Sequence, residues 1–227
     1  MENGRKHVVN LLKSKSVMKQ NVFKNTQNWF QILKDELKEC IEIISEEIGD
    51  NSKIRLKYVD AGKYEAQLFI GSDVLIFYMH TNVFRFSKSN YVNRSSYIKK
   101  DASNAYCGVI NIYNFLADSY EQNRFNDAGY LISRIFINKE SHFVIEGKGE
   151  LEFLYRDFLN QIINKEILQD VIIKVASYAL EFDLLTPPYQ SVSVVSVQEM
   201  QTLSSNSKLK TGKRLGFKFK SEPKIIG

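Results

Sequence analysis

An apolar stripe at helical spacing is the first clear pattern along the chain, and it predicts a long amphipathic helix over residues 17–48. Its apolar positions recur every three or four residues, as on one face of an α-helix, and are Trp29, Leu33, Leu37, Cys40, Ile44 and Ile48. Gly49 follows the stripe at the place where a glycine commonly ends a helix. Residues 6–15 predict a short helix before it.

After residue 52 the apolar period changes to two, which predicts β-strands. Segments 52–60, 64–70 and 74–80 are joined by short turns and predict an antiparallel three-stranded meander. The third segment is apolar on both faces, which indicates a central strand covered on each side. Further strands are predicted at 105–119, 130–138 and 141–147.

Helical spacing returns in two later segments, 150–164 and 165–185. We therefore predict an α+β fold, with a mostly antiparallel six- to seven-stranded sheet, a long N-terminal helix and two later helices packed on it. The predicted organisation is a basic N-terminal arm or short helix at 1–24, a single α+β domain at 25–206 and a basic C-terminal tail at 207–227. The polar segment 86–104 is the longest predicted loop, and such loops often carry function.

The charge of the 227-residue chain is divided unevenly, although its net value is only +5. Residues 1–24 carry +5 and residues 208–227 carry +6, so the remaining trunk carries −6. A uniformly basic nucleic-acid-binding domain would not show this division. The pattern predicts a non-enzymatic intracellular binding or assembly module whose basic ends engage an acidic partner, either an acidic protein surface or a nucleic acid. A homo-oligomer is also compatible with it.

The C-terminal tail mixes basic and aromatic residues, which favours partner or nucleic-acid binding, with phosphates neutralised by cations and bases stacked on rings. The candidate binding residues are Lys208, Lys210, Lys213, Arg214, Phe217, Lys218, Phe219 and Lys220. Three alternatives stay open for this tail: an edge strand, a contact with membrane headgroups, or a segment that folds onto the acidic trunk.

Polar residues at strand positions define a second candidate, a polar pocket on the sheet. Its candidate residues are His80, Tyr106, Asn111, Tyr113 and Arg134. An enzyme with a sheet-rim site near His80 and Arg134 is therefore an alternative function, to which a Cys107–His80 thiolate pair would belong. The opposing interpretations are a strand-end histidine bonded to its loop, a buried structural cysteine, and an exposed sheet face. Arg134 should face solvent or pair with a carboxylate such as Asp118 or Glu146.

No stronger chemical motif stands out. The two cysteines lack the CxxC spacing of metal sites and the three histidines are scattered, so no metal, cofactor or catalytic residue is assigned. The longest uncharged apolar stretch is shorter than the ~18 residues that a membrane span needs. We expect a cytoplasmic protein with no membrane span.

Overall fold

A seven-stranded antiparallel sheet forms the centre of the computed structural model, which describes residues 2–50, 53–122, 127–182, 186, 188–198 and 200. The strands run in the order β1-β2-β3-β5-β6-β7, and β4 pairs with β5. They are β1 (Leu56–Asp60), β2 (Glu65–Ile70), β3 (Asp73–Met79), β4 (Phe84–Arg85), β5 (Tyr106–Leu116), β6 (Tyr130–Asn138) and β7 (Phe143–Gly147). The predicted α+β class with a mostly antiparallel sheet is confirmed.

One long helical rod precedes the sheet, and the helix predicted from the apolar stripe over residues 17–48 forms its larger part. Helix α1 (Glu2–Leu11) continues through a single π-helical turn (Leu12–Ser16) into α2 (Val17–Ile48). The rod has no break at residue 24, so the predicted boundary of the basic segment falls inside α2. Gly49 ends the helix with a φ of 69°, a left-handed conformation that glycine adopts without strain.

The remaining helices are shorter. They are α3 (Ser96–Lys100), α4 (Ala117–Glu121), α5 (Lys165–Glu181) and α6 (Tyr189–Val192), with 3₁₀ helices at Tyr91–Arg94, Ala102–Ala105 and Gly149–Glu152. Asn164 precedes α5 as its N-cap residue, and its side-chain oxygen accepts the Ile167 N–H at 2.8 Å and so caps one of the free amides of the first turn.

Helices α2 and α5 cover one face of the sheet and enclose the main core with it. Its fully buried side chains include Phe30, Leu33, Leu37, Leu75, Phe77, Ile110, Ile112, Ile135, Val171 and Val175. Burying a side chain of this size stabilises the fold by about 1.5–3 kcal/mol. The helix approaches the sheet closely at Gly108, where a Cβ atom would lie 2.2 Å from Oγ1 of Thr26.

The opposite face of the sheet is also partly covered, as predicted for the central strand. Val92 and Ile98, from the polar segment 86–104, pack on Cys107 and Val109 of β5. A second small cluster joins Val74, Ile76, Phe69 and Ala117 near α4. The long loop is therefore a structured layer over part of this face.

Polar contacts fix α2 to both ends of the sheet. Lys34 is 4% exposed, and its Nζ donates to the Asp60 carboxylate at 2.6 Å and to the Gly62 carbonyl at 2.5 Å. At the other end, Asn25 donates to the Asn138 carbonyl at 2.7 Å, and Trp29 Nε1 donates to the Ser141 hydroxyl at 2.9 Å. The side chains of Lys34, Asn25 and Trp29 are thus hydrogen-bonded within the fold.

One of the two predicted later helices is not α-helical. After the 3₁₀ turn at Gly149–Glu152, the chain runs along the outer edge of β7, where the carbonyls of Tyr155 and Gln161 accept the N–H groups of Ile145 and Phe143. A positive φ of 55° at Tyr155 is incompatible with a continuous helix. Covering the unpaired backbone of an edge strand took precedence over the helical pattern.

Candidate functional site

The first turns of the helical rod project from the body without contacts to its core. Every residue from Glu2 to Val17 is exposed, and the first buried side chain of the rod is Val22. We call residues 2–17 the arm. No acidic residue occurs between Glu2 and Asp35, whereas the same stretch contains seven lysines and arginines. The arm is therefore a cationic helix.

The arm also carries an apolar stripe. Val8, Leu11 and Leu12 stand at i, i+3 and i+4, so they lie on one helical face, and they are 53%, 43% and 57% exposed. Among the described residues nothing covers this stripe. Side chains of this kind normally pack against a neighbouring element.

A groove of about 520 Å³ lies where the arm joins the body. Helical residues form one wall, and residues from β4, β5 and the loops beside them form the other. The polar residues that line it are Ser14, Lys15, Asn21, Arg85, Ser103, Tyr106 and Lys139.

Tyr106 holds two cations near this groove. The Nζ of Lys19 lies 5.9 Å from the centroid of the Tyr106 ring, and the guanidinium carbon of Arg85 lies 5.6 Å from it. Cation–π contacts at this distance position a charge but do not neutralise it. Lys15 and Arg85 line the groove, and Lys19, one helical turn after Lys15, lies beside it over the Tyr106 ring.

Lys139, the third cation that lines the groove, is already neutralised. Lys139 donates to the Asp101 carboxylate and to the Ser103 hydroxyl, both at 2.7 Å. The hydrogen bond from Lys139 is the main cause that lowers the pKa of Asp101 to about 2. In contrast, no carboxylate of the described chain forms an ion pair with Lys15, Lys19 or Arg85. The groove therefore keeps an excess of positive charge.

A local feature of the sequence pointed to Arg85, although the division of the chain into basic ends and an acidic trunk did not reveal it. No acidic residue occurs from residue 74 to residue 100, although the trunk as a whole is acidic. The cations of this acid-free stretch are Arg85, Lys88, Arg94, Lys99 and Lys100. A local charge profile would therefore have identified a basic segment inside the trunk.

The structure divides the five candidate pocket residues between the two faces of the sheet. Tyr106 lies on the helix-covered face, where it lines the groove. Asn111, which is directly opposite Arg134 in the register of β5 and β6, lies on the other face with Tyr113. His80 joins that second face, since its ring contacts Tyr78 and Phe84 there.

Two of the pocket candidates on that second face, His80 and Arg134, are engaged by local contacts. Nδ1 of His80 accepts the N–H of Asn82 at 3.0 Å, which is the bonding of a strand-end histidine. Arg134 forms an ion pair with Glu146 at 2.5 Å, one of the two carboxylates named from the sequence. Burial raises the pKa of the Cys107 thiol, which disfavours the thiolate that nucleophilic chemistry requires.

The eight candidate residues of the C-terminal tail, Lys208 to Lys220, lie outside the described residues. Within the described ranges, no group of three or more His, Cys, Asp or Glu side chains could hold a metal ion. A search of the same ranges finds no helix with the length and apolar character that crossing a membrane requires. No protein-family model, curated protein or solved structure matches the chain.

Proposed function

We propose that the protein is a non-enzymatic binding module whose arm docks on an acidic protein surface that contains an apolar slot. The observation that carries this proposal is the exposed helix 2–17, which combines a cationic surface with the uncovered stripe of Val8, Leu11 and Leu12. An amphipathic helix of this kind suits the helix-in-groove mode of recognition, in which residues at i, i+3 and i+4 serve as anchors.

The apolar stripe favours a protein over a nucleic acid as the partner. Cations alone would suit either one, because both offer negative charge. Burying three half-exposed aliphatic side chains contributes about 1 kcal/mol each, and only a surface with an apolar slot can provide that burial. The charges of Arg5 and Lys13 would then orient the approach and accelerate it.

The charge order along the rod also supports a role in binding. Basic residues crowd its N-terminal half, and the acidic residues Glu42, Glu46 and Glu47 lie at its C-terminal end. A helix macrodipole favours the reverse arrangement, by about 0.3–1 kcal/mol for each charge near a terminus. The observed order of charges therefore destabilises the helix. We infer that the basic residues serve to bind an acidic partner instead.

Two further proposals carry over from the sequence. The first is nucleic-acid binding through the basic aromatic tail, which the acid-free stretch 74–100 favours because it adds cations to the body. The second is an enzyme with a sheet-rim site. It gains no support from His80 or Arg134, because contacts within the fold already engage both side chains.

Photo-crosslinking in cells that express the full chain tests the proposed function. A benzophenone side chain replaces Leu12 in one variant and Ile43 in the matched control, which is 50% exposed on the acidic half of the same rod. We expect position 12 to give a protease-sensitive adduct whose crosslinked partner peptides are acidic, and position 43 to give none. Replacing both Arg5 and Lys13 by Glu should abolish the adduct.

Three results would contradict the proposal. A nuclease-sensitive adduct would favour the nucleic-acid alternative. Partner peptides without net negative charge would remove the electrostatic argument. An adduct of equal yield after the Arg5→Glu and Lys13→Glu replacements would show that the charges of the arm do not select its partner.

A further inference from the structure

We propose that the groove at the base of the arm receives a phosphate monoester carried by the protein partner, so that the module recognises a phosphorylated segment. This inference rests on the proposed function and deepens it. The arm would supply affinity for an acidic surface, and the groove would add recognition of one phosphorylated side chain.

The charges that meet in the groove match a phosphate monoester better than a carboxylate. Lys15 and Arg85 line the groove, and Lys19 lies beside it over the Tyr106 ring. None of the three has a carboxylate partner among the described residues. A phosphorylated side chain carries about −1.5 to −2 charges and three acceptor oxygens at neutral pH, whereas a carboxylate carries one charge and two oxygens. Clusters of arginine and lysine are a recurrent means of reading phosphorylated motifs.

A neutral donor completes this set. The side chain of Asn21 lines the same groove and can donate from its amide. The volume of about 520 Å³ accommodates a phosphoryl group together with part of the residue that carries it.

The π-helical turn between α1 and α2 is an independent indication of function at this place. It spans Leu12–Ser16, and two of its residues, Ser14 and Lys15, line the groove. Single π turns inside α-helices are uncommon and often occur at functional sites. Here the turn brings Lys15 to the groove on the side opposite Arg85.

The pH dependence separates a monoester from a diester. The second ionisation of a phosphate monoester occurs near pH 6, whereas a diester keeps one charge throughout. No histidine lines the groove, and Asp101, with a pKa lowered to about 2, remains ionised over this range of pH. Affinity for a monoester should therefore rise between pH 5 and pH 7.

Amide NMR spectra of the ¹⁵N-labelled full chain test the site with inorganic phosphate as the first probe. We expect shifts at residues 14–21, 85 and 102–106. Arg85→Gln should weaken phosphate binding about five- to tenfold, and Lys15→Gln, at an exposed position of the arm, should do the same. Lys57→Gln, an exposed lysine of β1, is the matched control and should leave binding unchanged.

A phosphoserine octapeptide, the same peptide with serine, and a thymidine decamer with and without a 5′ phosphate then distinguish the carriers. We expect the phosphopeptide to bind at least tenfold more tightly than the other three, and more tightly at pH 7 than at pH 5. Equal binding of both peptides would overturn the inference, as would Arg85→Gln and Lys15→Gln variants that bind normally. Preferential binding of both decamers would assign the groove to a nucleic-acid backbone instead.

Failure of this inference is distinguishable from failure of the proposed function. If the groove ignores phosphate while Leu12 still gives the acidic protein adduct, only the phosphate site is lost. If the adduct is absent while phosphate shifts the groove residues, the site stands but the arm is not the docking element.

Discussion

The two halves of the N-terminal rod share one helix and differ in almost everything else. Residues 2–24 are basic and almost wholly exposed, whereas residues 25–48 are rich in acidic groups and bury Phe30, Leu33 and Leu37 against the sheet. Both halves contain aliphatic residues at helical spacing. What separates them is the presence or absence of a covering surface, so the pattern that predicts a helix does not reveal what the helix packs against.

Polar groups show the same contrast. In the packed half, Lys34 is buried and hydrogen-bonded to the β1–β2 turn. At the base of the arm, Lys15, Lys19 and Arg85 have no carboxylate partner in the described structure. Charges satisfied inside the fold stabilise it, and charges left unpaired around a groove are available to a ligand. We regard the packed half as scaffold and the arm as interface.

The largest expected effect is a difference in the free energy of unfolding between two leucine-to-alanine variants, one in each half of the rod. Leu33→Ala removes a fully buried side chain from the core and should lower the free energy of unfolding by about 2–5 kcal/mol. Leu12→Ala removes one that is 57% exposed and should change it by less than about 0.5 kcal/mol. Urea denaturation of both variants measures the difference. Similar losses would show that the arm is packed after all.

The close approach of α2 to the sheet gives the next prediction. Gly108→Ala places a methyl group against Thr26 and should destabilise the fold by about 1–3 kcal/mol. Adding Thr26→Ala removes the hydroxyl and methyl groups that collide, so the double variant should recover part of this loss in the same denaturation assay. If the losses in free energy of unfolding from the two substitutions simply added, the two side chains would not be in contact, and α2 would lie farther from β5.

The Lys34–Asp60 pair predicts a dependence of stability on pH. Its hydrogen bond lowers the pKa of Asp60, so the pair contributes stability above the unfolded value of about 3.9, and this contribution is lost as the pH falls through the lower folded value. Asp60→Asn should cost about 1 kcal/mol at pH 7, because the carboxylate is 56% exposed.

Denaturation at several pH values checks this. The difference in stability between the unmodified chain and Asp60→Asn should narrow as the pH falls from about 5 to about 2. A difference that stays constant over this range would show that the carboxylate charge does not matter to the packed half.

The smallest effect concerns the charge order of the rod. Arg5→Glu places an anion in the first turn, and Glu46→Lys places a cation in the last, and each should stabilise its helix end by about 0.3–1 kcal/mol. Slower exchange of the nearby amide protons would show this. Faster amide exchange near the N-terminus of the Arg5→Glu variant would contradict this prediction, because it would show that Arg5 stabilises the arm through another contact.

Much of the fold followed from local patterns, because the spacing of apolar residues reports which face is buried. The helix at 17–48 and the meander from β1 to β3 were predicted in this way and confirmed. The helical pattern at 150–164 failed because the edge of β7 required backbone acceptors. Side-chain spacing carries no information about such a requirement.

The groove could not be predicted, since tertiary packing alone brings Lys15 and Arg85 together across 70 positions of sequence. The division of the pocket candidates could have been foreseen. Successive residues of a strand face opposite sides of the sheet. Within β5, Tyr106 is an odd number of residues away from both Asn111 and Tyr113, so it must face the other side. Strand alternation was therefore the signal overlooked.

Amide hydrogen exchange along the rod tests the central claim most directly, because it reports whether anything covers the arm in the isolated chain. We expect the amides of residues 8–16 to exchange at least about 100-fold faster than those of residues 30–41, which lie in the packed half. Equal protection of the two segments would contradict the account, since the arm would then already be occupied by its own chain or by a second copy.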